Sequence, residues 1–241
     1  MEQEQQVPEK NYRLDTCFFA EPCPQKGCSK CINKGLHYLA KRLYLPKTLI
    51  PLSYYELRFS DLTLSGESEE ASFYLENIYR LVNEGKGFYA YSKGTGTGKT
   101  SVGCIALKHY LYWSLKANPY DTENRRVLYL NTSEFLDRLR KSFNRPDPEL
   151  EGLMDELTNI DTAPKLILFD DLGAEKASEW VRERLYTLIN FRASNGLASL
   201  YTSNESGEAL INRLGSRVVS RVTGTTKPLF FGGRDRREGQ W

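Results

Sequence analysis

The segment that most constrains this chain is Lys93-Gly94-Thr95-Gly96-Thr97-Gly98-Lys99-Thr100, set between the strand pattern Phe88-Tyr-Ala-Tyr91 and a helical pattern over 99–116. Alternating glycines let backbone amides turn inward around an anion, and the helix that follows adds the positive end of its dipole. Lys99 contributes a cation and Thr100 a hydroxyl suited to Mg²⁺. Gly94, Thr95, Gly96, Thr97, Gly98, Lys99, Thr100 and Ser101 are therefore read as a cradle for the β- and γ-phosphates of a nucleotide. Lys93 stands where the usual G-x-x-x-x-G-K-[ST] pattern has its first glycine, so the freedom must come from Gly94 and Gly96. The plainer alternative is a flexible glycine turn beside a surface lysine, which the strand–loop–helix context argues against.

Around this loop, strand and helix patterns alternate. Helical periodicity covers 68–82 with Gly85 as a stop, and returns at 133–143, 179–194 and 208–222. Strand patterns fall at 127–130, 165–169, 198–202 and 228–231. Alternation of this kind predicts an α/β fold in three layers, a parallel sheet with helices on both faces. Residues 46–66 read as a connecting segment, as does 147–161, which carries six acids and no base.

The apolar run Leu166-Ile-Leu-Phe169 ends in Asp170 and Asp171. A strand delivering two acids is what Mg²⁺ and water handling beside a phosphate loop require: Asp170 for the metal, Asp171 for the attacking water. Asp171 is one methylene shorter than the glutamate that often fills this place. Two solvated acids capping a strand are the alternative. The next strand leads to Asn204, whose amide can sense a γ-phosphate or the attacking water. Downstream, Arg217 and Arg221 sit at i, i+4 on one helix face, either as a solvated pair or as a finger reaching a neighbouring subunit's nucleotide.

Together with the phosphate loop, the motifs Phe169-Asp-Asp-Leu-Gly-Ala-Glu175, Trp180-Val-Arg, Tyr201-Thr-Ser-Asn204 and Gly233-Arg-Asp-Arg-Arg237 make 50–241 resemble AAA+ ATPases of the bacterial and phage replicative helicase-loader family (DnaC/DnaI-like), with IstB-like transposition helpers as relatives. The resemblance implies a phosphate-loop NTPase that binds ATP and Mg²⁺ and hydrolyses ATP. It implies Asn204 as first sensor, Arg221 or Arg217 as finger, and Arg237 as second sensor. The chain ends four residues after Arg237, so the helical lid is expected to be truncated. It further implies that the helix after the second strand approaches single-stranded DNA, through Arg138, Arg140, Lys141 and Arg145. Phe135 and Leu139 are expected to pack inward instead. Partners implied are a DnaB-type helicase, single-stranded DNA and further copies of the ATPase domain. The competing functions are an IstB-like transposition-targeting ATPase and a nucleotide-gated adaptor with little turnover.

Four of the five cysteines, Cys17, Cys23, Cys28 and Cys31, lie within fifteen residues. With no signal-like apolar run at the N-terminus, a reducing cytoplasm is expected, and there such clustering favours metal over disulfides. Structural zinc is the leading reading, with free thiols and an iron–sulfur cluster as alternatives. His37 is a conceivable substitute ligand. The expected organisation is a zinc-binding module over 1–45 that meets the helicase, a linker over 46–66 and an AAA+ domain over 67–241. Lys plus Arg total 33 against 31 Asp plus Glu, for a net charge of +2. That balance disfavours a general duplex-DNA binder and moves any nucleic-acid surface into local basic stretches, 125–145 and 217–237.

Overall fold

A computed structural model of the chain describes residues 45–232, apart from 56, 63–67, 120, 122–123 and 175–177. A short helix α1 (Leu45–Thr48) and two 3₁₀ turns, Leu52–Tyr54 and Phe59–Asp61, precede α2 (Ser68–Glu76) and α3 (Ile78–Asn83). Five strands follow: β1 (Gly87–Tyr91), β2 (Val127–Asn131), β3 (Leu166–Asp170), β4 (Ala198–Ser203) and β5 (Thr226–Phe230). Between them run α4 (Lys99–Ala117), α5 (Thr132–Ser142), α6 (Pro148–Leu157), α7 (Glu179–Ser194), α8 (Gly207–Leu214) and α9 (Ser216–Thr225).

All strand pairings are parallel, in the order β2-β3-β4-β1-β5. Strand side chains alternate between two cores, as a period of two demands. Phe88, Ala90, Leu166, Leu168 and Leu200 face α2, α3 and α4, whereas Tyr89, Leu128, Ile167, Phe169 and Tyr201 face α5 through α9. The result is the expected three-layer sheet. Pro228 is tolerated because β5 is an edge strand, with only β1 as neighbour. Insertion of β4 between β1 and β3 brings the carboxyl ends of these three strands together, the crevice in which open α/β sheets bind ligands.

Several elements differ from expectation. The helix expected over 208–222 is two helices, because Gly215 at φ +89° breaks the chain direction between α8 and α9. The pattern over 68–82 is likewise split at Asn77. The acidic connection contains α6, whose N-cap Asp147 accepts from the Leu150 amide at 3.1 Å with Pro148 in the first turn. Leu150 and Leu157 of α6 are buried, each contributing about 1.5–3 kcal/mol by leaving water.

The described part of 46–66 is no free linker. Buried Lys108 of α4 donates from Nζ to the carbonyls of Tyr54 (2.9 Å), Tyr55 (3.2 Å) and Leu57, strapping this segment to the domain. Cys17, Cys23, Cys28, Cys31, His37, Arg237 and the lid region lie outside the described residues. Among the described residues no helix is long and apolar enough to cross a membrane.

Candidate functional site

β1 delivers the chain directly into the glycine loop, which folds back over the first turn of α4. Gly96 at φ +63° and Gly98 at φ +97° adopt left-handed backbone that L side chains rarely take, and Gly98 caps α4. Lys99, 5% exposed, turns its ammonium under the loop. Its three hydrogens are shared among four oxygens within reach of Nζ: Ser92 Oγ (2.7 Å), the Gly94 carbonyl (3.0 Å), Thr97 Oγ1 (3.3 Å) and Asn204 Oδ1 (3.0 Å). The phosphate-loop lysine and the expected sensor thus touch, across 105 residues of sequence. A phosphate oxygen entering the loop would compete well for this cation, since bonds between ionised partners are roughly twice as strong as neutral ones.

Beside Lys99, the Thr100 hydroxyl donates to Asp170 Oδ1 at 2.8 Å. Asp170 is buried and also accepts from Thr202 Oγ1 (2.6 Å) and Tyr129 Oη (2.8 Å). Burial, followed by the Asp170 charge, pushes the Tyr129 phenol far above its ordinary pKa, so it stays protonated and acts as the donor. A hydroxyl and a carboxylate are hard oxygen donors that fit Mg²⁺, an ion completed by phosphate and water rather than by an all-protein cage.

Asp171 follows at φ +56°, a strain of about 1 kcal/mol for a non-glycine residue. Its amide donates to Thr202 Oγ1 at 2.9 Å. With Asn204 it lines a cavity of about 490 Å³ whose one wall is Thr95–Ser101. Tyr54, Leu57, Asp61 and Leu62 line it too, so the strapped segment borders the same cavity as the phosphate loop. That volume suits a nucleotide-sized ligand.

Sequence reasoning missed Ser92, Tyr129, Thr202 and the 54–62 wall. Ser92 follows the strand pattern directly and was the most accessible of these from sequence. Thr202 sits inside the Tyr201-Thr-Ser-Asn204 motif without an expected role of its own; Tyr129 and the 54–62 wall reach the site through sheet register and the N-terminal strap, for which no local signal exists. Cys104 is buried; desolvation and then the Asp170 charge raise its thiol pKa well above normal, making it an inert core residue.

The remaining candidates stand apart from the cavity. Arg217 and Arg221 are exposed on α9, whose Val218, Val219 and Val222 face the core. On α5, Phe135 is buried and Leu139 half-buried, as expected. Arg138 is paired, with Nε and Nη2 2.6 and 2.8 Å from the Asp147 carboxylate and Nη2 2.7 Å from Glu149. Lys141 pairs with Asp137 at 2.6 Å. Arg140 lies over the Trp180 ring at 5.6 Å, beside exposed Phe143, while Arg145 is exposed.

No family model matches the chain. Over 218 residues it is 26% identical to the replicative helicase loader DnaI of Bacillus subtilis, covering 85% of this chain and 64% of DnaI. The chain therefore spans just under two thirds of that relative's length. The crystal structure of the DnaC helicase loader superposes with a TM-score of 0.60 at 22% identity, over 76% of this chain and 100% of that one. The replication initiator DnaA, bound to AMPPCP and single-stranded DNA, gives a TM-score of 0.57 at 17% identity, over 77% and 52%. This chain is thus similar in sequence to the helicase loader DnaI and shares the parallel-sheet fold of the DnaC loader.

Proposed function

We propose that the chain is an ATPase that loads a hexameric, DnaB-type replicative helicase onto single-stranded DNA in the cytoplasm. The observation that carries the nucleotide part is that Lys99, Thr100, Asp171 and Asn204 line one cavity, with Asp170 bonded to the Thr100 hydroxyl behind it. The loader part is supported by the similarity to DnaI over most of the chain.

In this reading the loop amides and Lys99 hold the phosphates, and Thr100 with Asp170 holds Mg²⁺. Magnesium, when bound, neutralises charge on the transferred phosphoryl. Asp171 orients water, Asn204 couples the γ-phosphate position to Lys99, and Arg221 or Arg217 reaches the nucleotide of a neighbouring copy. Arg237 serves as second sensor. Arg140 and Arg145 are the cations best placed for DNA, since neither makes an ion pair among the described residues. Cys17, Cys23, Cys28 and Cys31 hold structural zinc in a helicase-binding module over 1–45, a reading that rests on their spacing alone.

The test is to mix the protein with a DnaB-type helicase and circular single-stranded DNA under ATP, ADP or no nucleotide. ATP-dependent capture of the helicase and its appearance on DNA are the expected results. No capture under any nucleotide state overturns the loader reading. The short, left-handed Asp171 favours one alternative, an adaptor that binds ATP without turnover. Tight ATP binding with no hydrolysis, even with helicase and DNA present, identifies it.

A further inference from the structure

The carboxylate of Asp170 lies on β3 between its two neighbours, next to Thr202 of β4 and level with Asn131 of β2. Three hydroxyls converge on it, from three different elements: Thr100 of α4 and Thr202 of β4 on Oδ1, Tyr129 of β2 on Oδ2. An ionised carboxylate offers about four lone-pair sites. Both on Oδ1 are filled and one on Oδ2 is filled, leaving a single direction on Oδ2. Thr100 gives its hydrogen to Asp170, so its own lone pairs stay available.

Thr202 has a second task. It is fully buried and its one hydrogen goes to Asp170, so its oxygen accepts the Asp171 amide at 2.9 Å. One hydroxyl thus links the expected metal-holding carboxylate to the peptide of the expected water-handling residue. The left-handed backbone of Asp171 is held in part by this bond.

We propose that Tyr129 and Thr202 are positioning residues for Mg²⁺–ATP: they hold the Asp170 carboxylate in one orientation beside the Thr100 hydroxyl, and Thr202 also fixes the Asp171 peptide. The proposal rests on the ATPase reading above. Neither residue belongs to the phosphate-loop or acidic motifs, and both act through other groups. A rotating carboxylate would lose the fixed direction that octahedral Mg²⁺ demands. Hydrogen-bonding partners of metal-holding carboxylates matter for the same reason.

The test uses the full chain and its Tyr129→Phe, Thr202→Val and Thr202→Ser variants. Binding of a fluorescent ATP analogue is titrated with MgCl₂, and repeated in EDTA. Tyr129→Phe and Thr202→Val are expected to raise the half-saturating Mg²⁺ concentration roughly tenfold, with affinity in EDTA unchanged. Thr202→Ser should behave as wild type. Only Thr202→Val should also lower kcat strongly at saturating Mg²⁺, with KM unmoved, because it alone releases Asp171. Thermal melting checks folding, and Tyr129→Phe decides the question should Thr202→Val fail to fold. Wild-type Mg²⁺ dependence in Tyr129→Phe overturns the proposal and leaves the ATPase reading intact. Absence of Mg²⁺-dependent binding in the wild type overturns both.

Discussion

Lys99 and Arg138 are both cations that the sequence singles out, and they meet opposite environments. Lys99 is buried at the cavity, where its Nζ reaches a serine, a threonine, a backbone carbonyl and an asparagine. Arg138 is partly exposed and saturated by Asp147 and Glu149, two acids for one base. The guanidinium holds the Asp147 carboxyl below the usual carboxylate range, the mark of a pair already satisfied. A buried cation that lines the cavity is placed for a ligand, whereas a surface cation between two carboxylates is already matched.

The largest effect expected from this contrast is at Lys99. Lys99→Ala removes a buried charge that the site directs at phosphate, and truncations of that kind cost about 2–5 kcal/mol in binding. Nucleotide affinity should fall at least about 30-fold, measured with a fluorescent ATP analogue in the presence of Mg²⁺. An affinity within threefold of wild type would mean that Lys99 is held for stability and not for phosphate.

A smaller effect is expected at Lys108, which shares the buried environment of Lys99 without facing the loop. Its acceptors are the carbonyls of Tyr54, Tyr55 and Leu57, so it fixes one wall of the cavity. Hydrogen bonds to a charged group are worth about 1.5–3 kcal/mol, and part of that is offset by no longer burying the charge. Lys108→Met should lower stability by about 2 kcal/mol in denaturant unfolding and weaken nucleotide binding severalfold. Lost stability with unchanged nucleotide affinity would separate the strap from the site.

How much of this was legible in the sequence depends on how far apart the partners lie. The loop from Gly94 to Thr100 was legible because its chemistry is local: backbone freedom, helix start and cation fall within seven residues. Asp170, Asp171 and Asn204 were legible because each ends an apolar strand run. Tyr129 was not, because its neighbour is set by β2–β3 register, which places residue 129 against 168 and its hydroxyl on residue 170. The α6 helix was hidden by counting charge over 147–161 when the spacing of Leu150, Leu153, Met154 and Leu157 already had helical period. Lys108 gave a signal of its own, a lone charge inside the apolar run 102–112, which a single helical face could not leave in water.

The smallest effect tests the other side of the contrast, on the surface of α5. Each phosphate neutralised on a single strand contributes about −0.7 to the slope of log affinity against log salt. Arg140 and Arg145 lack ion-pair partners among the described residues, and Phe143, 67% exposed, stands beside Arg140 over Trp180. Reversing both, Arg140→Glu with Arg145→Glu, should therefore flatten the slope for single-stranded DNA by roughly one unit or more. Arg138→Ala should leave that slope nearly unchanged, because the charge it removes is matched by Asp147 and Glu149. Its cost should appear in stability, as a loss of under about 1 kcal/mol from untying the N-terminus of α6. Flattening by Arg138→Ala equal to that of the double reversal would show that a surface cation with two carboxylate partners still serves DNA. Pairing with carboxylates would then not decide which surface cations meet DNA.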